Sequence, residues 1–181
     1  MGSPESSKYQ IFLNQGYRHA EHLLPHADLD LSESYFTYLD PKGATAFRPW
    51  HDTAKPWDAI RTPLEQLIEP ALRRFPHVRM VHANYAAADE SARRSARYST
   101  AAARLFGHRA YTIVPGQPER EEDEAYFAEL GAPAGPVESA GTAVWRRFQN
   151  GVAAINAGPH PVRIPNWRGG TLEPWQGLIS H

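Results

Sequence analysis

Between Tyr9 and Leu130 the chain repeatedly sets a short apolar run, fit for a strand, before a longer run fit for a helix. Tyr9 to Leu13 precedes Arg18 to Leu24, and Asp28 to Tyr38 precedes Trp57 to Phe75. Val78 to Ala83 precedes Asp89 to Phe106, and Arg109 to Val114 precedes a helix that begins in the acidic run Glu119 to Glu124. Strand then helix, repeated in succession, predicts an α/β protein with a parallel sheet, because parallel neighbours need a crossover and a helix supplies one. Doubly wound sheets and β/α barrels both place their sites at the carboxyl ends of such strands. Polar and aromatic residues collect at those ends: Asn14 and Tyr17, then Glu33 and Tyr35, then His82, Asn84 and Tyr85, then the segment after Val114. No glycine-rich phosphate fingerprint follows the first strand, which counts against a nucleotide fold.

The stretch Ala27 to Tyr38 carries the chemistry most directly. Asp28, Leu29, Asp30 and Leu31 alternate with the period of a half-buried strand, and the strand then delivers Glu33 into Tyr35, Phe36 and Tyr38. A carboxylate at a strand end beside aromatic rings has what a general acid needs, since partial desolvation raises its pKa and the rings hold a flat substrate. Glu33 is the first candidate for chemistry; a helix cap or a solvated loop charge is the alternative reading of the same position.

Elsewhere the pattern is mainly structural. Ile60, Leu64, Leu67, Ile68, Ala71 and Leu72 give Trp57 to Phe75 one apolar face, and Pro63 and Pro70 predict a kink or two shorter helices. The arginines of Asp89 to Phe106 read as a solvated face. Ala132 to Gly141 reads as a Pro/Gly/Ala linker, and Gln149-Asn150-Gly151 predicts a hairpin between Thr142 to Phe148 and Val152 to Ile155. The long loop before Pro56 carries Trp50 and His51, residues suited to a binding site or to a packed surface loop.

Composition narrows the function classes. The 181 residues suffice for one domain with a core, and the net charge of -1 offers no electrostatic case for nucleic acid or an anionic membrane. With no cysteine, disulfides, thiolate metal sites and cysteine nucleophiles are excluded. No signal peptide is visible, and no window approaches the roughly 18 uninterrupted apolar residues of a membrane span, so a soluble, cytoplasmic chain is expected. Five Trp, eight Tyr and nine His suit a polar pocket with stacking surfaces, as a carbohydrate site uses them.

At this point the residues carry a resemblance. The strand ends at Asn14, Ser32-Glu33-Ser34-Tyr35 and His82-Ala83-Asn84-Tyr85, with Arg97-Tyr98, Leu105-Phe106-Gly107 and Ala110-Tyr111, resemble the second half of a glycoside hydrolase barrel. The group they look most like is the hypothetical glycosyl hydrolase family 15. The downstream run Tyr126-Phe127, Leu130-Gly131-Ala132-Pro133, Trp145 to Gly151 and Ile155-Asn156 is similar to the way such barrels pass into a β-rich carboxyl-terminal region. The resemblance covers about residues 9–165. It implies the C-terminal half of a (β/α)8 TIM-type barrel followed by a short antiparallel β-hairpin region, since a whole barrel needs eight units and about 250 residues. The expected division is a polar lead at 1–8, the partial barrel at 9–135, the hairpin region at 142–165 and a weakly ordered tail at 166–181.

The resemblance implies Glu33 as general acid or nucleophile, sugar stacking on Tyr35 or Tyr85, and hydroxyl contacts from His82 and Asn84; Asn14 and Tyr17 join the expected binding set by their place at the carboxyl end of the first strand. Glycoside hydrolysis uses two carboxylates, about 5 Å apart for retention or about 6.5–9.5 Å for inversion. Asn14 stands where many barrels place an acidic residue, so the second carboxylate is Asp28, Asp30, or a residue of an absent first half. A truncated product is therefore expected, completed by a homodimer or by a complementing half-barrel chain. The expected ligand is a carbohydrate, with no cofactor. Two alternatives stand beside this one: a non-catalytic carbohydrate-binding barrel remnant, and a metal-dependent hydrolase using His19, His22 and His26 with Asp28, Asp30 and His82.

Overall fold

The computed structural model describes residues 10–33, 37–39, 47–49, 57–85, 90–113, 129–165 and 170–180; at 37–39, 47–49, 59, 84, 85, 90–93, 95, 96, 112 and 113 it describes the backbone alone. Strand β1 (Phe12–Asn14) turns at Gln15, whose positive φ of 58° lets the chain enter a 3-10 turn, and α1 (Ala20–Leu23) follows. Pro25 sits in the next 3-10 turn, and the chain re-extends as β2 (Leu29–Glu33). The short pair β3 (Thr37–Leu39) and β4 (Phe47–Pro49) is antiparallel.

The long amphipathic stretch forms α2 (Trp57–Pro63), a π-helical segment Leu64–Ile68 and α3 (Glu69–Arg74). The two prolines account for this division: Pro70 has no N–H to donate to the preceding turn, and the wider π turn absorbs the missing donor. Leu64 and Ile68 are fully buried, which stabilises the helix against the sheet by about 1.5–3 kcal/mol per side chain. Strand β5 (Arg79–Tyr85), α4 (Glu90–Leu105) and β6 (Arg109–Ile113) complete the first half of the chain.

The strands β1, β2, β5 and β6 form one parallel sheet in that order. The expected half of a (β/α)8 barrel is overturned. The parallel strands make an open four-stranded sheet, with β1 and β6 each paired on one side only among the described residues, and a second, antiparallel sheet follows. The physical reason is that strand-and-helix succession dictates parallel pairing but not closure, and after β6 the chain changes to antiparallel pairing.

That second sheet has the order β12-β9-β8-β7, built from β7 (Pro133–Ala140), β8 (Ala143–Phe148), β9 (Gly151–Asn156) and, after the small pair β10 (Val162–Arg163) and β11 (Thr171–Leu172), β12 (Gly177–Ser180). The β8–β9 hairpin forms at Gln149-Asn150, with Phe148 opposite Gly151. Helix α4 lies between the two sheets, touching β5 and β6 on one side and β9 and β12 on the other. Its successive residues Ala101, Ala102 and Ala103 are all fully buried, as only a helix covered on several sides requires, and their small side chains let both sheets approach. One continuous core therefore joins the sheets, from Leu24, Leu64 and Met80 through Tyr98 to Val144 and Ile155.

Candidate functional site

Strand alternation gives the parallel sheet two chemically different faces. Leu13, Asp30, Ser32, Met80, His82 and Ala110 occupy one face by register, and Asp30, Ser32 and His82 there are almost wholly inaccessible. Phe12, Asn14, Leu29, Leu31, Glu33, Val81, Ala83 and Tyr111 occupy the other. On this second face Phe12 is 58% exposed and Tyr111 45%.

At the carboxyl end of that face Asn14 Nδ2 donates to Glu33 Oε2 at 3.2 Å. Glu33 ends β2 and is half-buried, while Asn14 ends β1 and is exposed. Glu33 is in register with Ala83, and Ala83 with Tyr111, so a carboxylate, a methyl group and a phenol stand in one row across three strands. With strands spaced about 4.8 Å apart, Glu33 and Tyr111 are about 10 Å apart along the row.

The remaining expected site residues are distributed differently. Tyr17 is in the core, and its N–H donates to Asp30. His82 lies on the buried face, behind Glu33 rather than beside it. Asn84 and Tyr85 form the end of β5, opposite Thr112 and Ile113, with their backbone alone described. Tyr35 lies outside the described residues.

The two aspartates considered as a second carboxylate have structural partners. Asp30 accepts from the N–H groups of Gly16 at 2.8 Å and Tyr17 at 2.7 Å, pinning the 3-10 turn that leaves β1. Burial pushes its pKa up, against the lowering effect of the Gly16, Tyr17 and Leu31 N–H groups. Asp28 Oδ2 accepts from the Ile11 N–H at 2.9 Å. Because Asp30 and Glu33 are three residues apart on one strand, they face opposite ways and do not form an acid and base pair. The histidine and aspartate set of the metal reading is not assembled either, for among the described residues no group of three or more His, Asp and Glu is arranged to hold an ion.

A second polar cluster escaped the sequence. Glu69 on α3 meets His108, the residue before β6, and His108 meets His82 on β5. A glutamate in a helix and a histidine after a glycine turn carry no motif, and only the fold brings them within reach of His82.

Fold and site together define an α/β chain with an open parallel sheet and an amide and carboxylate pair at its carboxyl edge. No protein-family model matches this chain, and no curated protein matches it at a significant level. Among the described residues no helix is long and apolar enough to cross a membrane.

Proposed function

We propose that the chain binds a carbohydrate at the carboxyl end of this second face of its parallel sheet, around Asn14, Glu33 and Tyr111. The observation that carries this reading is the row Glu33, Ala83, Tyr111, with Asn14 bonded to Glu33 at its end. A sugar offers a polar edge of hydroxyls and an apolar C–H face. The carboxylate and amide suit the edge, and the part-exposed Tyr111 ring suits the face. Binding is favoured over glycosidic cleavage because Asp28 and Asp30 are both engaged by backbone N–H groups, away from Glu33.

The test is a glycan array followed by calorimetry on the best ligand with the wild type, Tyr111→Ala and Glu33→Gln, and a reducing-end assay on the same glycan. Loss of the ring is expected to weaken binding about tenfold, the scale of one stacking contact. Retained binding by wild type with no product supports a binding module, whereas product lost in Glu33→Gln would establish a hydrolase. Wild type that binds no glycan, or binding that neither substitution alters, overturns the assignment.

A further inference from the structure

On the buried face of the parallel sheet, away from Glu33, three titratable side chains form a linear chain. Glu69 Oε1 is 3.0 Å from His108 Nε2. His108 Nδ1 is 3.1 Å from His82 Nε2, with the rings 5.2 Å apart at 30°. The Glu69 side chain keeps 26% of its exposure and that of His108 7%, while His82 is fully buried, so the chain runs from solvent into the core. It also joins three separate parts of the fold: α3, β5 and the entry to β6.

We propose that Glu69, His108 and His82 are an acid-sensitive latch that holds the helical stretch 57–74 against the parallel sheet at neutral pH and loosens it on acidification. The geometry admits one extra proton and rejects a second. With both rings neutral, His108 Nε2–H donates to the Glu69 carboxylate and His82 Nε2–H donates to His108 Nδ1. One added proton, with the His82 proton shifted from Nε2 to Nδ1, makes His108 an imidazolium that donates from both nitrogens, to Glu69 and to His82 Nε2, and the carboxylate balances its charge. A second proton, on His82, sets two N–H donors and two positive charges against each other in the core.

Two arginines act on the outer end of this chain. Arg73 on α3 is 3.8 Å from the Glu69 carboxylate, and Arg146 on β8 adds positive charge near it. Arg146 itself donates to the carbonyls of Gly135 and Leu105. On β2, Ser32 is in register with His82, and Asp30 is engaged by Gly16 and Tyr17. From α2 and the end of α4 come the neutral rings of Trp57 and Phe106, the latter 6.3 Å from His108; Arg104 on α4 acts with Arg109, Glu129 and Tyr111 instead.

Burial, aided by the His108 charge, holds His82 well below its ordinary value of 6.5. The unfolded chain therefore takes up a proton that the folded chain refuses. This contribution to stability is present above that value and is lost as pH falls, by about tenfold in the unfolding constant per pH unit. The His108 hydrogen bond, against an opposing effect of burial, holds Glu69 below its ordinary value of 4.5, so its contribution is likewise present above that value and lost as pH falls.

The test is hydrogen exchange on the full chain from pH 7.5 to 5.5, corrected for intrinsic rates, comparing 57–74 with the β8–β9 hairpin. Protection in 57–74 is expected to fall at least about tenfold more than in the hairpin. Glu69→Gln, which removes the balancing charge, is expected to move this loosening to higher pH, and His82→Phe to abolish it. Should His82→Phe fail to fold, the wild type and Glu69→Gln decide the matter. Parallel loss of protection in helix and hairpin, or an unshifted response in Glu69→Gln, overturns the latch.

Discussion

Gly177 on β12 and Arg97 on α4 meet backbone to backbone: a Cβ at position 177 would lie 2.3 Å from the Arg97 carbonyl oxygen and 2.5 Å from the Tyr98 Cα. The contact decides how closely the antiparallel sheet seats on the helix that also supports the parallel sheet. Backbone cannot swing aside as a side chain can, so Gly177→Ala forces β12 away from α4. A loss of about 2–3 kcal/mol is expected, read as a lower urea midpoint.

Asp30 holds the turn after β1 through two short hydrogen bonds from Gly16 and Tyr17. Asp30→Asn keeps one acceptor and turns an NH2 group toward the other N–H, at a cost of about 2 kcal/mol at pH 7. The pH dependence has a definite sign. Burial raises the folded-state pKa of Asp30 above 3.8, so its contribution is fully present below that value and is lost as pH rises through the folded value. The stability gap between wild type and variant is therefore expected to be wider at pH 4 than at pH 7, and denaturant titrations at the two pH values check it.

How far these features were legible depends on the range of the contacts that create them. The parallel strands and α4 announce themselves through local periodicity, and the β8–β9 hairpin through Asn150-Gly151. Strand β7 does not, because Pro133, Gly135 and Pro136 read as linker. They are tolerated since β7 is the outer strand of its sheet, with an irregular register between Pro133 and Val137. Strand β12 is a run of only four residues whose partner, β9, lies far back in the chain. At the candidate site, sequence singles out Asn14 and Glu33 as strand-end polar groups, but not Tyr111, whose alignment with Glu33 depends on the register of three strands. The carboxylate of Asp30 reads as part of the same alternating run as Glu33, although strand geometry sends the two to opposite faces.

Asn156, at the end of β9, is a fully engaged buried amide. Its Nδ2 donates to the carbonyls of His160, Leu172 and Glu173, and its Oδ1 accepts from Thr142 Oγ1 and the Gly158 N–H. Asn156→Asp places a carboxylate oxygen against three carbonyl oxygens, at an expected cost of about 3 kcal/mol at neutral pH. Protonation restores one donor, so the new group is expected to have a raised pKa and the variant to recover part of its deficit on acidification. Thermal melts at pH 7 and pH 4, each referred to wild type, read this recovery.

Asn14 separates binding from stability. Its amide donates to Glu33 at an exposed position, where a single hydrogen bond contributes little to folding. Asn14→Ala is expected to leave stability within about 0.5 kcal/mol of wild type, as for other surface substitutions. In the proposed site, however, the same change removes a hydroxyl partner and one of the contacts that orient the Glu33 carboxylate. Affinity for the glycan selected by the array is then expected to fall about tenfold, equivalent to about 1.4 kcal/mol. Calorimetry and a melt on the same preparation measure both quantities. Unchanged affinity would move the site away from the Asn14 and Glu33 edge, and a large stability loss would make that pair a structural clamp.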